Sequence, residues 1–142
     1  MFRTIQSTPF LYLAMLLALG GALSDCARDA KPMVAAAKEE ALARTEFTQR
    51  IENFFEYEPL KAGKPSVFRI HLTDLTDGAP VEQAEVTLHI RNQPPVKAKV
   101  GKVTGIYVAE LTVAQKGEYA IEFQIKNNKL DERIPLTDFK VE

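Results

Sequence analysis

FFEYEPLKAGKPSVFRIHLTDL, residues Phe54 to Leu75, changes character twice. It opens on aromatics interleaved with acids. It breaks at Gly63-Lys64-Pro65, where glycine tolerates positive φ and proline fixes φ. It then alternates: Phe68, Ile70 and Leu72 share one face, and Arg69 and His71 the other. Period-two alternation in β-branched and aromatic residues is the mark of a half-buried strand.

The same pattern recurs downstream. In VTLHIR, Val86, Leu88 and Ile90 point inward, and Thr87, His89 and Arg91 outward. In IYVAELTV, Ile106, Val108, Leu111 and Val113 share a strand, with a parity slip at Ala109 and Glu110 that reads as a bulge. EYAIEFQI sets Tyr119, Ile121, Phe123 and Ile125 on one face. Turn signals separate these runs at Asp77-Gly78, Pro94-Pro95, Gly105, Lys116-Gly117 and Asn127-Asn128. About seven strands are expected, near 47–58, 65–74, 84–91, 96–103, 105–113, 117–126 and 130–141. Pro135 should place the last at a sheet edge. The expected fold is all-β, an immunoglobulin-like antiparallel sandwich over residues 45–142. Its core should hold Phe68, Ile70, Leu72, Val86, Leu88, Ile90, Tyr107, Tyr119, Ile121 and Phe123.

Upstream of the domain the sequence reads as an export signal. Arg3 is the only charge before Asp25, and Phe10 to Leu23 is apolar or small. That run is short for a membrane span of ~20 residues and suits a signal-peptide core over residues 1–25. An uncleaved N-terminal anchor is the competing reading. LSDC, Leu23 to Cys26, resembles the bacterial lipobox, which makes Cys26 the candidate lipidation site. Asp25 departs from the small residue usual before the cysteine. ALS, Ala22 to Ser24, is an alternative ordinary cleavage site that would release a soluble periplasmic protein. Residues 26–44 are rich in Ala, Lys and Glu and read as a tether, with helix propensity from Met33 to Arg44. The expected location is the periplasm, with membrane attachment through Cys26.

Composition narrows the function classes. Nineteen acids face 18 bases in 142 residues, so no basic face for nucleic acid is expected. A single cysteine rules out an intrachain disulfide and a Cys-based zinc site. Ser66 lies in no Gly-x-Ser-x-Gly elbow, and no Gly-rich loop precedes a helix. No catalytic residues are assigned. His71 and His89 are the candidate metal ligands. On neighbouring strands of one sheet, two imidazoles with Glu85 or Asp74 would suit Cu, Zn or Co. The lysines of VKAKVGK, Lys97, Lys99 and Lys102, read as edge-strand protection or as a seat for an added partner strand. The Gly-x-Tyr units Gly105–Tyr107 and Gly117–Tyr119 read as structural, each tyrosine burying its ring and bonding a loop backbone.

EYEPLKAG (Glu56–Gly63), HLTDL (His71–Leu75), APV with AEVTL (Ala79–Val81, Ala84–Leu88) and the two Gly-x-Tyr units together carry a resemblance. It resembles the N-terminal β-sandwich of periplasmic adaptor subunits from heavy-metal resistance–nodulation–division efflux pumps. It is also similar to YtkA-like and FixH-like immunoglobulin-type domains. The resemblance covers roughly residues 50–141. It implies a non-enzymatic envelope module that contacts a protein complex such as an efflux transporter. A small metal-binding protein using His71 and His89 is the alternative. An adaptor continues into lipoyl-like and helical-hairpin parts, whereas this sequence stops at Glu142, so a stand-alone relative is expected.

Overall fold

A computed structural model describes residues 39–142. The leader, Cys26 and the tether up to residue 38 lie outside the described residues. Nine strands follow in order: β1 Leu42–Phe47, β2 Ile51–Tyr57, β3 Pro65–Asp74, β4 Glu85–Ile90, β5 Val96–Lys97, β6 Lys99–Val100, β7 Ile106–Thr112, β8 Gly117–Lys126 and β9 Asp131–Val141. They form two antiparallel sheets, β1-β2-β3-β7-β6 and β5-β4-β8-β9, packed as a β-sandwich. Among the described residues no helix is long and apolar enough to cross a membrane.

The alternation in the sequence is the alternation of the pleat. Ile51, Phe55 and Tyr57 on β2 meet Phe68, Ile70 and Leu72 on β3, all buried. Val86, Leu88 and Ile90 on β4, and Ile121, Phe123 and Ile125 on β8, close the core from the other sheet. Its centre is aromatic. The Phe55 ring lies 4.8 Å from Phe123, and Tyr57 stacks on Phe68 at 5.0 Å. Phe139 on β9 meets Tyr57 edge-on at 5.4 Å.

Several expectations change. β7 carries no parity slip: its register against β3 runs unbroken from Ile106 to Thr112. The inward residues are Tyr107, Ala109, Leu111 and Val113, while Ile106 and Val108 face outward and are half-buried. The cause is steric. Ala109 sits directly opposite Phe68, and the small side chain leaves room for that ring. The irregularity lies instead between β8 and β9. The register jumps between Tyr119 and Ile121, and Asp138 takes φ 68° in the extra residue on β9. Tyr119 is half-buried beside this bulge and is not a core residue.

The expected strand 96–103 is two short ones. β5 pairs with β4 in one sheet, β6 with β7 in the other, and Ala98 lies between them. The expected strand 47–58 begins later: Phe47 ends β1, and β2 starts at Ile51 after a turn in which the Thr48 hydroxyl accepts from the Arg50 and Ile51 amides. Leu42–Arg44, read as the end of a helix-prone tether, are strand: they pair with Tyr57–Phe55 at a sheet edge. Thr87, expected outward, is buried. Ser66 and Asn53 are the other buried polar residues among those described, and Asn53 breaks the apolar face of β2. It points into the core from β2, and its amide finds no hydrogen-bond partner among the described residues.

Candidate functional site

Tyr107 organises one end of the sandwich. Its hydroxyl donates to the Val81 carbonyl at 2.8 Å and accepts from the Ala84 amide at 3.1 Å. All three residues are buried. The last residues of the loop between β3 and β4 are thereby clasped to β7. Gly105, two residues earlier, lets the chain come close. Its carbonyl accepts from the Leu72 amide at 3.0 Å, its φ is 77°, and an added Cβ would lie 2.5 Å from Pro80 Cβ. The second Gly-x-Tyr unit is looser: the Tyr119 hydroxyl donates to the Gln115 carbonyl at 2.9 Å near the surface.

Replacing Tyr107 by Phe keeps the ring and removes both loop bonds. The Val81 carbonyl and Ala84 N–H would then lose a buried partner, at a cost of about 1–3 kcal/mol. The expected result is a lower urea midpoint at unchanged slope, with faster amide exchange at Ala84. Unchanged exchange there would remove the clasp.

Beside this end lies a depression of about 510 Å³ lined by Asp74, Asp77, Pro80, Glu82, Asn127 and Lys129. Its polar groups are turned to loop geometry. Asp77 accepts from the Ala79 amide at 2.9 Å. Asn127 accepts from the Lys129 and Leu130 amides and donates to the Glu82 carbonyl. Hydrogen bonds from the Thr76 hydroxyl and amide, with Arg50 alongside, hold the Asp74 carboxyl below the usual carboxylate range. The Asp74, Asp77 and Asn127 side chains are thus engaged in holding the loops that carry them.

The two histidines do not meet. His71 is on β3 and His89 on β4, which belong to different sheets. Both face outward, on opposite sides of the sandwich. His71 lies edge-on to Phe54 at 5.4 Å, and His89 Nε2 lies 3.1 Å from Gln124 Oε1. Their proposed helpers are engaged as well: Glu85 pairs with Lys97 at 3.1 Å and Asp74 with Arg50 at 3.5 Å. Among the described residues no group of three or more His, Cys, Asp and Glu is placed to hold a metal ion. The condition for a His71–His89 site, neighbouring strands in one sheet, is therefore not met. Ser66 is buried and donates to the Glu58 carbonyl at 2.6 Å, a loop bond. The lysine-rich segment offers no continuous edge, because it is split over two sheets with two residues in each.

One residue with several contacts lies where the sequence showed only tether. Arg44 on β1 donates to the Thr137 carbonyl of β9 at 3.0 Å and to Glu46 at 2.9 Å. Its guanidinium lies 5.0 Å over the Phe139 ring. It bridges the edges of the two sheets, and among the described residues no strand pairs with the outer rim of β1. No family model, curated protein or solved structure matches this chain.

Proposed function

We propose that this chain is a non-enzymatic module of the bacterial envelope, anchored in the membrane through an acylated Cys26 and docking on an envelope complex such as an efflux transporter. The observation that carries the proposal is LSDC, Leu23–Cys26, placed directly after an apolar run of signal-peptide length. The resemblance of residues 50–141 to the sandwich module of efflux adaptors supports the docking role. The loop clasped by Tyr107 fits it too: a loop held to the sandwich presents a fixed surface for binding by shape.

Acylation is tested by changing Cys26 to Ser. The unaltered chain should sediment with membranes and take up labelled palmitate. Cys26→Ser should lose the label and pass into the soluble periplasmic fraction or stay as uncleaved precursor. A variant that remains a mature membrane-bound protein would remove lipidation from the proposal. Crosslinking in intact cells then tests docking, with a transporter subunit as the expected adduct.

A further inference from the structure

The sandwich has four sheet edges, and three are blunted. β5 and β6 are two residues long. β9 carries Pro135 and the bulge at Asp138. Short strands, prolines and bulges are the usual devices that stop edge-to-edge pairing. β1 has none of them. It is six residues of unbroken strand, LARTEF, at the rim of its sheet, with neither proline nor lysine.

The direction of its free hydrogen-bonding groups is fixed. The Thr48 amide donates to the Ile51 carbonyl at 2.9 Å, so Thr48 faces β2. Period two then turns Glu46, Arg44 and Leu42 toward β2, and Ala43, Thr45 and Phe47 toward the open rim. All three rim residues are exposed, Phe47 at 64%.

We infer that β1 pairs antiparallel with β1 of a second copy, about a two-fold axis at Thr45. A two-fold perpendicular to the sheet sets one residue opposite its own copy. Centred on Arg44 or Glu46, the pairing would oppose like charges, which is destabilising. Centred on Thr45, it sets Thr45 against Thr45, Ala43 against Phe47, and Arg44 against Glu46 of the other copy. Thr45 and the two Ala43–Phe47 pairs exchange their N–H and C=O groups. The Arg44–Glu46 pairs fall at the non-hydrogen-bonded positions, where side chains approach most closely. The exposed Phe47 ring covers Ala43 of the second copy. Arg44 and Glu46 pair within each copy at 2.9 Å, and the two-fold sets two such pairs side by side with opposite charges facing, so charge complementarity within LARTEF chooses the occupant. This pairing does not depend on acylation of Cys26 or on an efflux partner.

Sedimentation of the purified full chain tests it. One added strand is a small interface, so the expected dissociation constant is about 1–100 μM, with a dimer appearing across that range. Thr45→Pro removes an N–H that faces the rim and no bond to β2, and proline is tolerated at such edges. It should sediment as monomer at all concentrations with its melting temperature little changed. Thr45→Cys tests the register. Opposed residues in a hydrogen-bonded pair have Cα atoms ~5.5 Å apart, within disulfide range. Mild oxidation should join the two introduced thiols in a symmetric peptide found by mass spectrometry. A monomer throughout, a dimer that survives Thr45→Pro, or introduced thiols that link only to Cys26 would each overturn the pairing.

Discussion

Changing Phe55 to Ala is expected to destabilise the domain by about 3–5 kcal/mol, the range for truncating a buried aromatic. Phe55 is fully buried on β2. Its ring sits 4.8 Å from Phe123 on β8 and 6.3 Å from Phe139 on β9, both in the facing sheet. In its own sheet it meets Tyr57 at 5.9 Å and Phe68 at 6.2 Å. Truncation opens a cavity between the layers, lined by rings that cannot collapse without leaving their rotamers. Domains are commonly stable by only 5–15 kcal/mol, so such a loss removes a large part of the margin. Phe54, one residue earlier, is the control. It faces outward against His71 and is half-buried, so Phe54→Ala should cost about 1 kcal/mol. Denaturant unfolding of both variants measures the difference. Equal losses would mean that Phe55 does not join the two sheets.

Gly105→Ala should cost about 2–5 kcal/mol through backbone strain and overpacking together. The φ of 77° is a conformation that a Cβ disfavours, and here the Cβ also has nowhere to go. It would meet Pro80 Cβ at 2.5 Å and the Leu72 carbonyl at 3.2 Å. Moving Pro80 moves Val81, whose amide bonds Leu72 at 2.9 Å and whose carbonyl receives the Tyr107 hydroxyl. The two positions share one loop, so the losses from Gly105→Ala and Tyr107→Phe should not add. Combined in one chain, they should cost less than the sum, because Gly105→Ala already displaces the carbonyl that Tyr107→Phe abandons. A strictly additive double variant would show that Gly105 and Tyr107 hold different parts of the chain.

Much of the fold was legible because the strands are half-buried on a strict period. β3, β4 and β8 could be read from Phe68, Val86 and Phe123 and their alternating neighbours. Gly105 and Tyr107 were legible as a turn followed by a buried ring, although the loop they hold was not. The misreadings have local causes. At β7, large β-branched Ile106 and Val108 outranked Ala109, because the need for a small residue beside Phe68 is a tertiary fact. β1 was hidden because an edge strand buries little, and LARTEF mixes polar and apolar residues on both faces. Asn53 interrupts the apolar face of β2: parity with Ile51, Phe55 and Tyr57 turns it inward against its polarity. The histidine pair failed for a different reason: outward direction follows from parity, but the sheet to which a strand belongs does not. Parity placed His71 and His89 each on the outward side of a strand, and the structure sets those strands in different sheets.

The described chain begins and closes at one place. Glu39 pairs with Lys61, while the Ala62 amide bonds the Glu142 carbonyl at 2.8 Å and the Glu142 amide bonds the Leu60 carbonyl at 2.9 Å. Leu60 also bridges Val141 in the parallel sense. Leu60–Ala62 therefore gathers both ends, and the covalent order of the strands is separable from their pairing. A circular permutant, with Glu142 joined to Glu39 by a short linker and new termini opened at Asn127–Asn128, would keep every strand register intact. The β8–β9 hairpin would then become the most distant pairing in the chain, and the sandwich would trade a local hairpin for its least local contact.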